Sequence, residues 1–375
     1  MSADMLSPRN GAAQNGSAGA RSGTLAPKPR LISLATALPP YLLAQDDIAA
    51  LAEDIFANTR GGFERYASIY ENAAIAVRHS CVPLEWYRHE HDFAERNALY
   101  IENAVALLTR AARQALDEAR LRPQDIDTLI TVSSSGIATP SLDAHLMQHL
   151  PFRADVTRLP IFGLGCAGGV LGLSRAAALA QSAPQSRVLL LVVELCGLTF
   201  RRQDDSKSNI VATALFADGA AAAVVSCGDE GLPLGPWGEH TWPDSLDIMG
   251  WEITNDGFKV VFSRDIPFLV RDQLRPVVDD FLARNGLCLQ DINGFICHPG
   301  GAKVIEALEK CFETGQGGLQ TARTVLNENG NMSAATILFV LRSALNKGIQ
   351  GRQLITTLGP GFSAGFMIAE GLPRS

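Results

Sequence analysis

Along most of the chain, short apolar runs alternate with longer stretches in which apolar and polar residues recur at helical spacing. The clearest of these stretches spans Tyr100 to Arg120 and predicts an amphipathic helix. Beyond Pro123 and Asp125, the run DTLITVSSS predicts a strand. Strands that alternate with helices in this way are typical of an α/β protein with a buried sheet.

The same order of helix, turn and strand occurs a second time. The helix PFLVRDQLRPVVDDFLARNG leads into LCLQDINGFICHPGG, which matches the segment from Leu121 at a constant offset of 166 residues. Two further segments, SRVLLLVV and GCAGGVLGLSRAAALA, match GRQLITTL and GNMSAATILFVLRSAL at an offset of 165. Three matches in one order predict two pseudo-symmetric halves, residues 31–235 and 236–375. Cys166 and Asn331 would then begin equivalent helices that approach each other.

Composition narrows the classes of protein to consider. The 375 residues are 47% hydrophobic, enough for a large core, and the formal net charge of −7 argues against a nucleic-acid partner. No apolar run reaches the roughly 18 residues of a membrane span. Seven cysteines without paired spacing are typical of a reduced cytoplasmic protein. Residues 1–30, rich in Ser, Gly, Ala and Pro, predict a disordered tail without a secretory signal.

Cys166 is the first candidate for chemistry. It follows the apolar run PIFGLG and precedes a helix rich in Ala and Leu. The surrounding glycines permit a tight turn and close approach of a substrate to the backbone. A thiol at the amino terminus of a helix lies at the positive end of the helix dipole, which favours the thiolate. Cys166 is therefore a candidate nucleophile, with a buried structural cysteine as the alternative.

Two other side chains are candidates for the same site. His298 follows the apolar run GFIC and precedes PGG, so a strand end would present it to a cleft. Its alternative is an ordinary core or surface histidine. Asn331 precedes MSAAT, and the repeat places it opposite Cys166. Its alternative is a helix-capping asparagine.

Other chemistries find no support in the motifs. No two cysteines have the CxxC spacing of a zinc cluster, and no GxSxG elbow is present. LGPGFSAG lacks the lysine of a phosphate-binding loop, so its glycines indicate a tight turn.

Four motifs together resemble one family. GLGCAGG, CHPGG, GNMSAA and LGPGFSAG, in this order, are similar to those of the type III polyketide synthases, the chalcone-synthase-like family. The resemblance runs from about Arg30 to Leu372. It implies an α/β thiolase fold of five layers, αβαβα, and an obligate homodimer. It also implies acyl-CoA and malonyl-CoA as substrates, with no metal or organic cofactor.

The resemblance assigns a role to each member of the triad. Cys166 accepts the starter acyl group from coenzyme A as a thioester, and His298 holds the thiolate as an ion pair. His298 and Asn331 then donate hydrogen bonds to the thioester carbonyl of malonyl-CoA. Decarboxylation leaves an enolate, which attacks the Cys166 thioester and lengthens the chain.

Residues around the substrate follow from the same resemblance. Phe216 matches a gatekeeper phenylalanine between the coenzyme A tunnel and the cavity, whereas the second gatekeeper position falls on Val260, with Phe262 nearby. Of the basic cluster at the coenzyme A entrance, only Arg65 clearly matches. The following residues match positions that line the cavity: Thr199, Ser134, Thr139 and Ser333.

The segment SLDIMGWEITNDGFKVVFSRDIP is most similar to bacterial members that use long-chain fatty acyl starters. We therefore expect an alkylresorcinol or alkylpyrone product. One alternative is a ketoacyl-carrier-protein synthase III, which uses the same triad for a single condensation. That family usually has Gln-Ala-Asn after the histidine, where this chain has PGG. The other alternative is a thiolase-fold protein that binds acyl-CoA without catalysis.

Overall fold

A computed structural model of the chain describes residues 27–57, 63–263 and 265–373, except for the side chain of Arg65. The predicted tail lies outside the described residues up to position 26, and the first strand already begins at Pro29. Within the described ranges, none of the helices combines the length and apolar character needed to cross a bilayer.

Thirteen strands are described. They are β1 Pro29–Ala37, β2 Tyr41–Ala44, β3 Val77–Ser80, β4 Thr128–Val132, β5 Thr157–Ile161, β6 Arg187–Leu195, β7 Asp218–Cys227, β8 Leu232–Thr241, β9 Met249–Thr254, β10 Gly257–Phe262, β11 Gly294–Cys297, β12 Arg352–Gly359 and β13 Ser363–Glu370. The α-helices are α1 Gln45–Phe56, α2 Glu64–Glu71, α3 Phe93–Glu118, α4 Leu142–Leu146, α5 Gly168–Ser182, α6 Lys207–Leu215, α7 Ile266–Leu269, α8 Arg275–Arg284, α9 Ala302–Cys311, α10 Gln320–Asn329 and α11 Thr336–Lys347. Short 3₁₀ segments cover Leu84–Arg88, Pro123–Asp125, Gly165–Ala167, Cys196–Thr199, Leu289–Asp291 and Ser333–Ala335.

Both helices predicted from periodicity are present, with different bounds. The first, α3, begins earlier than predicted, because the Asp92 side chain accepts the N–H of Glu95 and caps the helix. The second is divided into α7 and α8 by a π-helical turn, Val270–Leu274. Pro276, which lacks an N–H, is the second residue after this turn and removes one of the hydrogen bonds of a regular helix.

The sheet repeats one arrangement of strands in two halves. Nine strands form a mixed sheet in the order β11-β12-β13-β8-β1-β7-β6-β4-β5. In the first half β4 pairs parallel to β6, and antiparallel pairs join β6 to β7 and β7 to β1. In the second half β11 pairs parallel to β12, and antiparallel pairs join β12 to β13 and β13 to β8. This order confirms the predicted pseudo-symmetry.

The two halves meet where β1 pairs with β8 through two residue pairs. The predicted division after residue 235 falls inside β8, so the bounds of the halves stay a prediction.

Helices α5 and α11 form the central layer. Each contacts strands of both halves, α3 covers the outer face of β1, β6 and β7, and α9 packs on the other side against the turn before α8. Ten of the fifteen residues of α5 are buried, as expected for a helix that is apolar on nearly every side. Helices α5 and α11 pack very closely at their amino ends, because a Cβ on Gly169 would lie 2.4 Å from the carbonyl oxygen of Ala334.

We expect Gly169→Ala to lower the free energy of unfolding by about 1–3 kcal/mol, since the added methyl overpacks the contact between the two helices. The methyl would also lie 2.4 Å from the side chain of Ile337. Urea titration measures the effect. Gly228→Ala is the control, because its Cβ would meet nothing within 4 Å. Equal stability of the two variants would contradict the predicted clash.

Candidate active site

Cys166 lies in the 3₁₀ turn Gly165–Ala167, directly before α5, and is only 7% exposed. Gly165 has a φ of 45°, and a Cβ there would lie 2.6 Å from the ring of Pro360. The hydroxyl of Thr357 donates to the carbonyl of Cys166 at 2.7 Å. The turn is thus held between the end of β12 and the start of α5, and the thiol lies at the positive end of the α5 dipole.

His298 extends the parallel ladder at the end of β11. Its backbone N–H donates to the carbonyl of Thr356 at 3.0 Å, and the side chain is 4% exposed. Neither ring nitrogen has a hydrogen-bond partner within the part of the chain that the structure describes. Burial lowers the pKa of the imidazole to about 4, so the ring is neutral near pH 7 and keeps one N–H donor.

Asn331 is fully buried and is held mainly by its backbone. Its N–H donates to the carbonyl of Leu215, and its carbonyl accepts the N–H of Ala217, both at 2.9 Å. In the side chain, Oδ1 accepts the N–H of Ser333 at 2.9 Å, and Nδ2 donates to the carbonyl of Gly300 at 3.3 Å. The carboxamide therefore has a defined orientation.

The prediction that Asn331 begins a helix is wrong. The 3₁₀ turn before α11 starts only at Ser333, whereas Cys166 lies within the corresponding turn before α5. The two helix starts therefore differ by 168 residues, not 165. The additional residues allow Asn331 to pair with the segment after α6, a tertiary contact that the repeat does not encode.

One cavity of about 430 Å³, including its opening to solvent, brings the three candidates together. We call it the triad cavity. Besides Cys166, His298 and Asn331 it is lined by the following residues: Met249, Phe262, Ile266, Gly300, Val304, Leu308, Thr356, Thr357 and Leu358.

The predicted ion pair between Cys166 and His298 is not present in this structure. Burial raises the pKa of the Cys166 thiol to about 12, a hydrogen bond with Ser333 lowers it, and the charge of Glu194 raises it. The thiol donates to the hydroxyl of Ser333 at 3.5 Å. Because burial disfavours both charges, thiol and imidazole are neutral in this arrangement. Ser333 itself has a φ of 45°, which places its hydroxyl beside the sulfur.

Glu194 is a titratable group at the site that the motifs did not single out. It lies at the end of β6, fully buried, and its carboxylate accepts the N–H of Ser134 at 3.0 Å. Burial raises the pKa of Glu194 to about 7. The sequence could have identified Glu194, because it is an acidic residue within the apolar run VLLLVVEL and buried acids are rare.

A second cavity, of about 720 Å³ including its opening, contains two of the predicted substrate-binding residues, Phe216 and Thr199, together with Val260. We call it the α1 cavity, because one wall consists of side chains from α1 and the residues around it: Leu43, Ile48, Leu51, Ala52, Ile55 and Phe56. The Phe216 ring lies 5.8 Å from Phe262 of the triad cavity. The aromatic pair therefore stands between the two cavities.

The remaining predicted substrate-binding residues lie in different places. Ser333 contacts the Cys166 sulfur. Ser134 lies beneath the Cys166 turn, where its hydroxyl accepts the N–H groups of Gly163 and Gly165 at 3.2 and 3.0 Å. Thr139 is exposed and lines neither cavity. The Arg65 side chain lies outside the described residues, so its role stays a prediction.

Ser333→Ala should raise the pKa of the Cys166 thiol by about one unit, because a hydrogen bond to a charged group is worth about 1.5–3 kcal/mol. Below that pKa the thiolate fraction falls as the pKa rises. Alkylation of Cys166 by iodoacetamide near pH 7.5 should therefore slow about tenfold, and this ratio should persist at every pH below the pKa of the thiol.

The control for this measurement is Ser174→Ala, a buried serine in α5 whose hydroxyl donates to the carbonyl of Leu171. Identical pH profiles for Ser333→Ala and the parent protein would rule out a contribution of this hydroxyl to the thiolate.

Comparison with known proteins agrees with the geometry. The family models described as chalcone and stilbene synthases match residues 20–229 (N-terminal domain) and 239–373 (C-terminal domain). A Bacillus subtilis protein named after chalcone synthase is 39% identical over 356 residues, covering 90% of this chain and 97% of that protein. The 1,3,6,8-tetrahydroxynaphthalene synthase of Streptomyces peucetius is 39% identical over 344 residues, covering 89% of this chain and 90% of that protein.

A solved structure shares the fold. The 1,3,6,8-tetrahydroxynaphthalene synthase of Streptomyces coelicolor, a bacterial type III polyketide synthase, superposes with a TM-score of 0.87 at 26% identity. The match covers 92% of this chain and all of that one. The expected α/β thiolase fold is thereby confirmed, and the synthase III and non-catalytic alternatives are set aside. The chain belongs to the chalcone and stilbene synthase family of type III polyketide synthases, acyltransferases that condense malonyl-CoA iteratively on coenzyme A thioesters.

Proposed function

We propose that Cys166 carries the growing acyl chain while His298 and Asn331 act on malonyl-CoA. The observation that supports this division is the convergence of the three side chains in the triad cavity. The Cys166 sulfur attacks the thioester carbonyl of the starter, coenzyme A leaves as its thiol, and the thiol proton passes to the leaving sulfur. The acyl group remains on Cys166 as a thioester.

Decarboxylation follows at the same site. The thioester carbonyl of malonyl-CoA accepts hydrogen bonds from the neutral His298 ring and from Nδ2 of Asn331. Loss of carbon dioxide leaves an enolate, whose negative oxygen these donors stabilise. The enolate carbon attacks the acyl carbonyl on Cys166, a carbon–carbon bond forms, and the Cys166 thiolate leaves. The ring nitrogens of His298, which have no partner among the described residues, support this role, because buried polar atoms of native proteins almost always have a partner.

For the starter we propose a long-chain fatty acyl-CoA, with an alkylresorcinol or alkylpyrone as product. The α1 cavity supports this, since its α1 wall is apolar and matches a hydrocarbon chain. Cys196 lines this cavity, and the charge of Cys166 is among the influences that raise the Cys196 pKa, after burial, Glu194 and Asp218. Cys196 thus lies in the α1 cavity and close enough to Cys166 for the two thiols to influence each other.

A second candidate function comes from a relative. The Streptomyces peucetius relative is named for a tetrahydroxynaphthalene, a product without an alkyl chain. By that analogy the enzyme would use malonyl units alone, and no acyl starter would occupy the α1 cavity.

A starter panel separates the two candidates. Purified enzyme is incubated with malonyl-CoA and acyl-CoA starters of increasing length, and products are identified by mass spectrometry. We expect alkyl-bearing products from long-chain starters and none from Cys166→Ala. In the same assay Ala52→Phe should shift the preferred starter to shorter chains, because the ring fills the α1 cavity.

Ala50→Phe is the matched control for this shift, since Ala50 lies on the exposed face of the same helix. A naphthalene product from malonyl-CoA alone would support the second candidate. Condensation by Cys166→Ala would contradict the assignment of the nucleophile.

We also propose that the enzyme is a homodimer in which the edge of the sheet at β5 faces a second copy. β5 is the last strand of the sheet order, and exposed apolar side chains lie in β5, directly after it, and in the loop that follows the neighbouring strand β4. They are Ile137, Leu159 and Phe162, at 47%, 38% and 57% exposure. Thr139 lies two residues from Ile137, so the dimer would place it near the partner and away from the cavities of its own chain.

Leu159→Glu should convert the dimer to a monomer, because a charge buried at an interface without a partner is strongly destabilising. Light scattering coupled to gel filtration measures the mass. Leu246→Glu is the control, since Leu246 is 86% exposed and lies outside this edge. A Leu159→Glu variant that keeps the mass of the parent dimer would place the interface elsewhere.

A further inference from the structure

A buried arginine lies at the α1 cavity, and the proposed reaction does not use it. Arg78, in β3, is 4% exposed and lines the α1 cavity. Its guanidinium donates to three backbone carbonyls at the carboxyl end of α6: Thr213 at 2.9 Å, Ala214 at 2.7 Å and Phe216 at 2.6 Å. A fourth contact reaches the side-chain oxygen of Gln45.

The Arg78 side chain caps the carboxyl end of α6. The last carbonyls of a helix have no partner within the helix and carry the negative end of its dipole, so a cation stabilises them. Burial lowers the pKa of Arg78 to about 10, which leaves it protonated near pH 7. The nearby carboxylate of Asp218 accepts the N–H groups of Cys81 and Gly197 instead. The carbonyls of α6 are therefore the direct partners of the Arg78 charge.

The segment that Arg78 holds is the one that holds Asn331. The carbonyl of Leu215 accepts the N–H of Asn331, and the N–H of Ala217 donates to the Asn331 carbonyl. The stem of the Arg78 side chain also lies close to the residue before Asn331, since a Cβ on Gly330 would lie 3.4 Å from the Cβ of Arg78. Between these hydrogen bonds lies Phe216, whose ring separates the two cavities.

We propose that Arg78 is a positioning residue of the reaction. It fixes the carboxyl end of α6 and thereby sets the orientation of the Asn331 carboxamide and of the Phe216 ring. The inference rests on the proposed function for the role of Asn331 in decarboxylation. Arg78 itself touches neither the sulfur nor the triad cavity, so its effect reaches the chemistry only through the backbone of residues 213–217 and 331.

The two half-reactions test the proposal, because they depend on Asn331 differently. Transfer of the starter acyl group to Cys166 is measured as the mass of the acylated protein, and decarboxylation is measured as carbon dioxide released from malonyl-CoA. Acylation is measured with a short starter, acetyl-CoA, which does not need the α1 cavity that Arg78 lines, and in Arg78→Met we expect it to stay close to that of the parent. Decarboxylation should fall in kcat by about a hundredfold, the cost of a misplacement near 1 Å, with KM for malonyl-CoA little changed. Arg78→Lys, which keeps the charge but not the planar fork, should be intermediate.

Chemical rescue distinguishes positioning from general stability. In Arg78→Ala the vacated space opens into the α1 cavity, so free guanidinium at a non-denaturing concentration should restore decarboxylation in a dose-dependent way. Urea, which has a similar shape but no charge, should not. The matched control is Arg342→Met, which removes another arginine that donates to a backbone carbonyl, that of Leu34, and pairs with Glu118. It should leave the ratio of the two half-reactions unchanged.

Two outcomes would overturn the proposal. One is an equal loss of acylation and decarboxylation in the Arg78 variants, in proportion to their loss of thermal stability. The other is the absence of any rescue by guanidinium in a folded Arg78→Ala protein. Asn331→Ala is the reference: if it decarboxylates malonyl-CoA at the parent rate, the role proposed for Asn331 fails, and a separate loss in Arg78→Met would have another origin.

Discussion

The close contact between α5 and α11 is the constraint on which the site depends. Gly168 and Gly169 have no side chain to separate the helices, and Ala334 presses against both of them. Each helix starts from a tight 3₁₀ turn, one holding Cys166 and the other holding Ser333. Because the helices touch at their amino ends, the two turns meet, and the sulfur of Cys166 lies at hydrogen-bond distance from the hydroxyl of Ser333. A larger residue at either glycine would move Cys166 away from its neighbours.

Burial gives this site its electrostatic character. The thiol, the imidazole and the carboxylate of Glu194 are all removed from water, and burial shifts the pKa of each toward its neutral form. A neutral histidine suits a role as hydrogen-bond donor to an enolate oxygen. The thiol requires a compensating donor to ionise, and Ser333 and the α5 dipole are the groups in position to supply it. Activation of the sulfur is therefore a property of several elements together.

Two cavities of different character meet at the aromatic pair Phe216 and Phe262. The triad cavity holds the groups that we propose act on malonyl-CoA, while the α1 cavity offers apolar space. Val260 and Phe262 lie on the same face of β10, so one strand contributes to both cavities. The backbone that carries Phe216 also pairs with Asn331, and the Arg78 guanidinium holds its end. The α1 cavity and the candidate residue Asn331 thus depend on the same backbone segment.

The sequence by itself determined the features that local pattern and spacing encode. Periodicity predicted α3 and the helical segment of α7 and α8, and the internal repeat predicted two pseudo-symmetric halves. The motif around Cys166 predicted a tight turn before an apolar helix, since glycine and alanine there leave few other local structures. The motif order also led to the family. These inferences depend on residues close in the chain or on a regular offset, which a single sequence displays.

Only the tertiary structure decided how the side chains are used. Asn331 was expected to begin a helix, yet it pairs with the segment after α6, more than a hundred residues earlier in the chain. Ser134 supports the Cys166 turn, Thr139 lies at the surface, and the titratable groups of Glu194 and Arg78 lie in the interior. Burial, hydrogen-bond partners and pKa arise when distant segments pack together and exclude water. A linear pattern gives the type of residue at each position, but the environment of that residue exists only in the folded chain.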